Sequence, residues 1–436
     1  MTMGAVAVTR IPGLRRAAAA LSMLWMATMI SAGLVFLTQT LLARKMGPAA
    51  YGLFASSLAT VTMIAPMAGF GLSQLRLKLY GTEGWAADRW LKPSLRFSAM
   101  TTLLATGLVA GWALAGVPAG PTRFHLLVLT PVILSLLASD LVGSKLRLEE
   151  RYRALAFWQL LTPSARFLVA LMLAFGPVLH FDFVPWGYCV VSLAVVALAM
   201  PHLRALVRGQ MQLHGHGPRS ADAVPTASPS MTELWSEAWA YGLAAVLYPI
   251  FFQVSTVMLK YLGNDSQAGL YGVAMSVMAA IYLIPTTIYH RFLLSKLHRW
   301  AVHDKPKFWL VYRQGIVAML LSGLAIGIGL AGLAPWVIPR VFGEHYRGVS
   351  AILMVLAICP PIRFLSTAVG SVLLTGKHMR FRVWAMGAAA AVTILFNLIL
   401  IPGFHGLGAA WATVLGEIVL LFFMCMGARK HSAEFK

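Results

Sequence analysis

Long apolar blocks separated by short polar segments dominate the pattern along this chain. A helix that crosses hydrocarbon must satisfy its own backbone hydrogen bonds, so about 20 mostly apolar residues predict one membrane crossing. The pattern predicts twelve such helices, over about 17–43, 53–75, 92–116, 124–146, 154–178, 183–206, 235–259, 267–289, 309–334, 349–375, 381–402 and 405–427. Between the ninth and tenth, Pro335 and Pro339 predict a short broken or interfacial segment over 334–348. The pattern therefore predicts an all-α integral membrane protein.

Composition excludes an ordinary soluble protein. Apolar residues make up 59% of the 436 residues and charged residues only 11%, whereas soluble domains average about 25% charged residues. The net charge of +21 suits either a nucleic acid or a membrane as partner, and the placement of the charges decides between them.

Lys and Arg are concentrated in the loops on one side of the predicted helices. With the amino terminus inside, 27 of the 35 basic residues fall in cytoplasmic segments and 6 in outer loops, which leaves Arg166 and Arg363 within helices. This distribution follows the positive-inside rule and predicts a multi-pass inner-membrane protein with both termini in the cytoplasm. The basic residues are spread over seven short segments, so we expect membrane lipids and no nucleic acid as partners.

The longest polar stretch divides the chain into equal parts. Residues 207–232 are rich in Gly, Pro, Ser and His, which is typical of a flexible cytoplasmic linker. The predicted domains are a six-helix bundle over 1–206 and a second over 233–436. His214 and His216 of the linker have no third ligand nearby in sequence, so no metal site is predicted.

Two pairs of motifs indicate an internal repeat. Gly52-Leu53-Phe54 after the first helix matches Gly269-Leu270-Tyr271 after the seventh. Val142-Gly143-Ser144 at the end of the fourth helix matches Val369-Gly370-Ser371 at the end of the tenth. Six helices are an even number, so the repeats run parallel. Two like-oriented bundles around a central cleft are an architecture for alternating access.

Three segments in register resemble polysaccharide flippases, the lipid-linked oligosaccharide branch of the multidrug/oligosaccharidyl-lipid/polysaccharide exporter superfamily. They are ARKMGPAAYGLF at 43–54, IPRVFGEHY at 338–346 and NLILIPGFHGLGAAWAT at 397–413. The sequence departs from many relatives in the seventh helix, where they carry an Asp and this chain has Phe251-Phe252-Gln253-Val254-Ser255.

The resemblance implies a transporter rather than an enzyme, without a cofactor. It would translocate polyprenyl-diphosphate-linked oligosaccharide repeat units across the inner membrane by alternating access. The units would serve synthesis or export of a polysaccharide such as lipopolysaccharide or exopolysaccharide. Other polysaccharide assembly proteins would be partners.

Two alternatives stay open. One is a cation-coupled multidrug exporter of the same superfamily, with Asp140 or Glu417 as the ion site. The other is a membrane-bound polysaccharide polymerase or acyltransferase, which would need a large outer catalytic loop that this sequence lacks. The acidic pair Glu149-Glu150 lies among arginines, and we expect it to be a solvated surface pair.

Ionisable side chains inside the predicted helices are the candidate site residues, because a charge in hydrocarbon costs about 2.5–3.5 kcal/mol and needs a cavity or a partner. One interpretation has Arg166 and Arg363 face the central cleft and hold the diphosphate headgroup. The other pairs Arg166 with Asp140, and Arg363 with Glu417, to fix packing only. Candidates for a glycan path or for ion coupling are Asp140, Glu417, Gln253, Gln159, Tyr248 and Asn397.

Overall fold

The computed structural model describes residues 12–176, 180–213, 227–287, 305–375 and 379–432, and over these residues the secondary structure is helical without a β-strand. Half of the predicted linker, residues 214–226 with His214 and His216, lies outside the described residues. The division into two bundles therefore stays a prediction.

The helices follow the apolar blocks. Their bounds are α1 Pro12–Ile64, α2 Leu72–Glu83, α3 Leu91–Gly111, α4 Pro121–Leu129, α5 Pro131–Leu148, α6 Tyr152–Phe175, α7 Val184–Val207, α8 Met231–Leu262, α9 Asp265–Thr287, α10 Lys305–Phe342, α11 Val349–Leu356, α12 Cys359–Thr375 and α13 Met379–Ser432. In the described part of the chain, nine helical stretches are long and apolar enough to cross a membrane. The protein is thus a multi-pass membrane protein.

Two of these helices contain a bend where two blocks were predicted. α1 bends at Gly47, whose φ is 76°, and α13 bends at His405, whose φ is 50°. The predicted end of the second block, at residue 75, is wrong. The helix stops at Ile64, before a short 3₁₀ turn over Ala65–Met67. The tight path that follows needs positive φ at Gly69 and Gly71.

The predicted break over 334–348 is wrong at its start, because α10 continues through Pro335 and Pro339 to Phe342. Proline costs a helix one backbone hydrogen bond, but neighbouring helices and hydroxyl side chains can compensate inside a membrane protein. The carbonyls that lose their usual N–H partner are those of Ala331 and Pro335, and next to them the Ser350 hydroxyl donates to the Ala334 carbonyl at 3.2 Å. The chain first leaves the helix at Gly343, with φ 103°.

The two halves of the chain share one apolar core. α1 packs against α6 in its own half and against α8 and α9 in the other, while α13 packs against α8 and α12. Side chains from both halves form the largest buried cluster, among them Tyr51, Tyr271 and Tyr346. The Tyr346 hydroxyl also donates to the Ala43 carbonyl at 2.9 Å. We call residues 1–206 the first half and residues 233–436 the second half.

Two glycines that the repeat pairs with one another bring the halves into backbone contact. A Cβ on Gly52 would collide with the Asp265 carbonyl, and a Cβ on Gly269 would collide with the Pro48 carbonyl. Gly52 thus contacts the residue four positions before Gly269, and Gly269 contacts the residue four positions before Gly52. A twofold axis that relates the two repeats produces this reciprocal arrangement. We call this the 52/269 contact. Its reciprocity supports the predicted repeat.

A second close approach joins α8 to the chain between α1 and α2. A Cβ on Gly71 would lie 2.5 Å from the Tyr241 carbonyl carbon and 2.6 Å from the Gly242 nitrogen. Phe70 stacks on Trp235 with ring centroids 5.3 Å apart, and Lys78 forms a 2.9 Å ion pair with Glu237. We call this the 71/242 contact.

Gly52→Ala should destabilise the protein because its new methyl group has no room against the α9 backbone. We expect a loss of about 1–3 kcal/mol in the free energy of unfolding, which is typical of overpacking. Denaturant unfolding of purified protein in detergent measures it. The matched control is Gly107→Ala, also in a helix, where nothing lies within 4 Å of the added Cβ. Equal stability of both variants would refute the proposed role of the 52/269 contact.

Candidate transport cavities

An uncharged cavity lies between the halves. It measures about 500 Å³ and is lined by α1, α8 and α9. Its polar lining consists of hydroxyl and amide side chains from Thr28, Ser31, Gln39, Tyr51, Thr62, Gln253, Thr256 and Ser276. The Tyr51 hydroxyl donates to Gln39 Oε1 at 2.9 Å. This interhalf cavity contains the predicted Gln253, and neither Arg166 nor Arg363 lines it.

A smaller cavity lies inside the second half, between α8, α12 and α13. It measures about 250 Å³, and its lining includes the predicted residues Tyr248 and Arg363. Ser366 and Thr367 on α12 and Arg382 on α13 line it as well. We call it the second-half cavity.

Arg363 pairs with Glu417, as one interpretation of the sequence predicted. Arg363 Nη1 lies 3.3 Å from Glu417 Oε1 and donates a long hydrogen bond of 3.4 Å to Oε2. The exposed fractions of the two side chains are 11% and 1%, so the pair is nearly dehydrated. An ion pair in such surroundings removes most of the net charge at this depth.

Aromatic rings surround the Arg363 guanidinium. Its Cζ lies 4.7 Å from the ring centroid of Phe252, 5.3 Å from that of Tyr282 and 5.7 Å from those of Phe251 and Tyr248. A ring face attracts a cation when the centroid lies within about 6 Å. These rings therefore help to hold the guanidinium in place.

The first half contains a comparable cavity between α5 and α6. It measures about 290 Å³ and collects three of the predicted residues, Asp140, Gln159 and Arg166, together with Arg147. We call it the first-half cavity. Six of the eight predicted candidates are thus distributed over three cavities, whereas Glu417 and Asn397 are not among the lining residues.

The predicted pairing of Arg166 with Asp140 does not form. Asp140 instead accepts a very short hydrogen bond from the Ser73 hydroxyl on α2. Arg166 lies over the ring of Tyr188, 4.6 Å from its centroid. Its Nε and Nη2 are buried and have no hydrogen-bond partner among the described residues, as is true of Gln159 Oε1. The first-half cavity is therefore lined by an arginine whose buried donors no described residue satisfies.

The two smaller cavities occupy the same place in the two repeats. Seven of the residues that line the second-half cavity have a lining counterpart in the first, and each pair of residue numbers differs by 227 (366 − 139, 370 − 143). The pairs are Leu136 and Arg363, Ser139 and Ser366, Asp140 and Thr367, Gly143 and Gly370, Leu155 and Arg382, Gln159 and Met386, and Thr162 and Ala389. This register is the one that the matching Val-Gly-Ser motifs predicted.

Asn397 belongs to a buried hydrogen-bond network and lines none of the three cavities. Its Nδ2 donates to Ser255 Oγ at 2.9 Å. Thr413 Oγ1 lies 3.4 Å from Ser255 Oγ and 2.7 Å from the Tyr271 hydroxyl. The network connects α8 and α9 to both segments of α13.

Two charged groups lie elsewhere than the sequence predicted. Glu149 is not a solvated surface residue, since it is 4% exposed and pairs with Lys145 at 2.7 Å. Arg382 was counted in a cytoplasmic loop, but it lies in α13 and faces the second-half cavity. Its position inside the apolar block 381–402 was the signal that could have identified it.

A family model for polysaccharide biosynthesis proteins matches residues 18–291. No curated protein matches the sequence. Among solved structures, the lipid II flippase MurJ in an inward closed conformation aligns with a TM-score of 0.69 and 13% identity, over 93% of this chain and 87% of MurJ.

Multidrug transporters share the fold as well. An inward-facing multidrug resistance MATE family transporter of the MOP superfamily aligns with a TM-score of 0.68 and 13% identity, over 95% of this chain and 98% of the other. A MOP superfamily transporter from Pyrococcus furiosus, with a binding pocket of reversed polarity, aligns with a TM-score of 0.61 and 13% identity. The alignment covers 95% of this chain and 96% of that transporter. At these identities the likeness shows the fold alone.

Removing one partner of the Arg363–Glu417 pair should cost more than removing both. Arg363→Met or Glu417→Gln leaves an uncompensated polar group in a dehydrated site, for a loss of about 3–5 kcal/mol. The double variant should lose less than either single variant, as measured by denaturant unfolding. Glu344→Gln is the control, since the exposed Arg347–Glu344 pair should contribute at most about 1 kcal/mol. Additive losses would contradict the coupling.

Proposed function

The chain belongs to the polysaccharide biosynthesis protein family, and on this premise we propose that it translocates polyprenyl-diphosphate-linked oligosaccharide repeat units across the inner membrane. The unpartnered donors of Arg166 in the first-half cavity are the observation that carries this proposal. They suit the diphosphate, which links the glycan to its lipid. The proposal includes twelve membrane helices in two six-helix bundles, with both termini in the cytoplasm.

Arg166 binds the diphosphate in this proposal. A buried N–H without a partner costs about 1–3 kcal/mol, and a diphosphate oxygen would satisfy both Nε and Nη2. A guanidinium presents its donors in a planar fork that matches phosphate oxygens. Gln159 and Arg147, which line the same cavity, add a further amide and a further charge.

Arg363 contributes in a different way because Glu417 already occupies part of its guanidinium. A diphosphate that enters the second-half cavity competes with Glu417 for Arg363. Glu417 then neutralises Arg363 while the cavity is empty. When a diphosphate fills the cavity, Arg363 contacts the headgroup.

The interhalf cavity suits the glycan. Its hydroxyl and amide side chains can exchange hydrogen bonds with sugar hydroxyls, and none of the described residues that line it is charged. Its volume of about 500 Å³ lies in the range of small-ligand sites. In the described conformation the halves touch at both the 52/269 and the 71/242 contacts. Alternating access would separate one contact at a time.

The alternative of a cation-coupled multidrug exporter fits these cavities less well. Its candidate ion sites are Asp140 and Glu417. Glu417 is engaged by Arg363, and Asp140 shares its cavity with Arg147 and Arg166. Positive charge beside both carboxylates disfavours the binding of a metal cation.

Arg166→Ala should slow transport at least about tenfold, because it removes charge-assisted hydrogen bonds to the diphosphate. Arg166→Lys should be intermediate, since lysine keeps the charge but lacks the planar fork. Proteoliposomes that flip a fluorescent polyprenyl-diphosphate oligosaccharide provide the measurement. In cells, less surface polysaccharide and accumulation of its precursor in the inner leaflet should accompany the defect.

Arg153→Ala is the matched control, because Arg153 is an exposed arginine on the same helix. It should transport at the wild-type rate. Parallel Arg363→Ala and Arg363→Lys variants test the second arginine, with protein levels equalised. Wild-type transport by both alanine variants would defeat the role of the arginines. A wild-type protein that exports drugs and flips no lipid-linked glycan would defeat the proposed function.

A further inference from the structure

The second-half cavity retains a positive charge that the Arg363–Glu417 pair does not account for. Arg382 lines this cavity from α13. Glu417 meets the charge of Arg363, whereas Arg382 makes no ion pair or hydrogen bond with the part of the chain that the structure describes. The positive charge of Arg382 on the cavity wall is therefore not neutralised by a described residue.

A buried hydroxyl without a partner lies in the same cavity. Ser366 is 5% exposed, lines the cavity one helical turn after Arg363, and its Oγ has no hydrogen-bond partner among the described residues. Buried hydroxyl groups in proteins are nearly always hydrogen-bonded. An unpaired donor beside an unpaired cation indicates that an anionic ligand completes the site.

The repeat shows that packing does not require an arginine at this position. The first-half counterpart of Arg382 is Leu155, which is 2% exposed and packs in an apolar cluster with Trp158. An apolar side chain thus fills the same backbone position in the other repeat. The serine, in contrast, is present in both cavities, as Ser139 and Ser366. Arg382 is therefore better explained by binding than by folding.

We propose that the second-half cavity is a binding site for a lipid-borne phosphate group, with the Arg382 guanidinium and the Ser366 hydroxyl as its donors. At about 250 Å³ the cavity is smaller than sites for drug-sized molecules, which measure about 300–1,000 Å³. It suits a phosphate or diphosphate rather than an oligosaccharide. The identification of the phosphate as the diphosphate of the transported lipid rests on the proposed function.

Binding to the full-length protein in detergent tests this site. The probes are farnesyl diphosphate, inorganic pyrophosphate and phosphatidylglycerol, and isothermal titration calorimetry measures their dissociation constants. The main variant is Arg382→Leu, which copies the side chain of the other repeat and should preserve the fold. Arg382→Lys and Ser366→Ala complete the set. The matched control is Arg380→Ala, because Arg380 is exposed two positions away and lies over Trp239.

We expect Arg382→Leu to weaken binding of farnesyl diphosphate about tenfold, as the loss of one charge-assisted contact predicts. Ser366→Ala and Arg382→Lys should weaken it less, and Arg380→Ala should leave it unchanged. Thermal unfolding should show that Arg382→Leu is as stable as the wild type.

Each contrary result has a distinct meaning. Unchanged binding of all three probes by Arg382→Leu overturns this inference but leaves the proposed function intact if Arg166→Ala still abolishes transport. A loss confined to phosphatidylglycerol supports the phosphate site and overturns its assignment to the transported lipid. A wild-type protein that binds no lipid diphosphate overturns both this inference and the proposed function.

Discussion

Hydrocarbon offers no partner to a charge or to a hydrogen-bonding group, and this constraint orders the polar side chains of the protein. Arg363 and Glu417 form an ion pair with each other, and the Asn397 amide nitrogen donates a hydrogen bond to Ser255. Contacts of this kind hold helices together, although Asn397 Oδ1 and Glu417 Oε1 make no hydrogen bond with the described residues. The Arg166 donors and the Ser366 hydroxyl also have no such partner, and we propose that a ligand satisfies them.

The positions of the helices could be predicted because the length of an apolar run is itself the membrane constraint. The pattern could not show that two adjacent blocks continue as one bent helix. The predicted interruptions at 44–52 and 403–404 are helical in the structure, with bends at Gly47 and His405. The prolines of α10 suggested a break that begins near residue 334, whereas the helix continues through both prolines and ends only at Phe342, before Gly343.

The candidate site was predictable in part. Arg166 and Arg363 stand out because each interrupts an apolar run, but their partners depend on which helices pack together. The sequence offered one acid for each arginine, yet Asp140 bonds to Ser73, 67 positions away on α2. Arg382 escaped attention because it lies next to loop arginines at the start of its helix. Its place inside the apolar block 381–402 was the available signal, and the packing of α8, α12 and α13 around the second-half cavity shows that it faces inward.

The repeat is symmetric in its backbone and asymmetric in its chemistry. The 52/269 contact is reciprocal, and the linings of the two smaller cavities match position by position. The arginines nevertheless occupy different positions. The counterpart of Arg363 is Leu136, and Thr393, at the same offset of 227 from Arg166, bonds back to the Ala389 carbonyl.

A twofold relation between the backbones of the two halves permits them to move against each other. It does not require that both halves bind the same chemical group. In the first half, Arg166 projects from α6 and its donors have no partner among the described residues. In the second half, a neutralised pair lies beside a second arginine on the cavity wall. A cargo with an anionic linkage between a polar glycan and an apolar tail is itself asymmetric. Different residues at equivalent backbone positions would allow the two halves to bind the anionic linkage of the proposed cargo in different ways, while the shared backbone geometry moves them together.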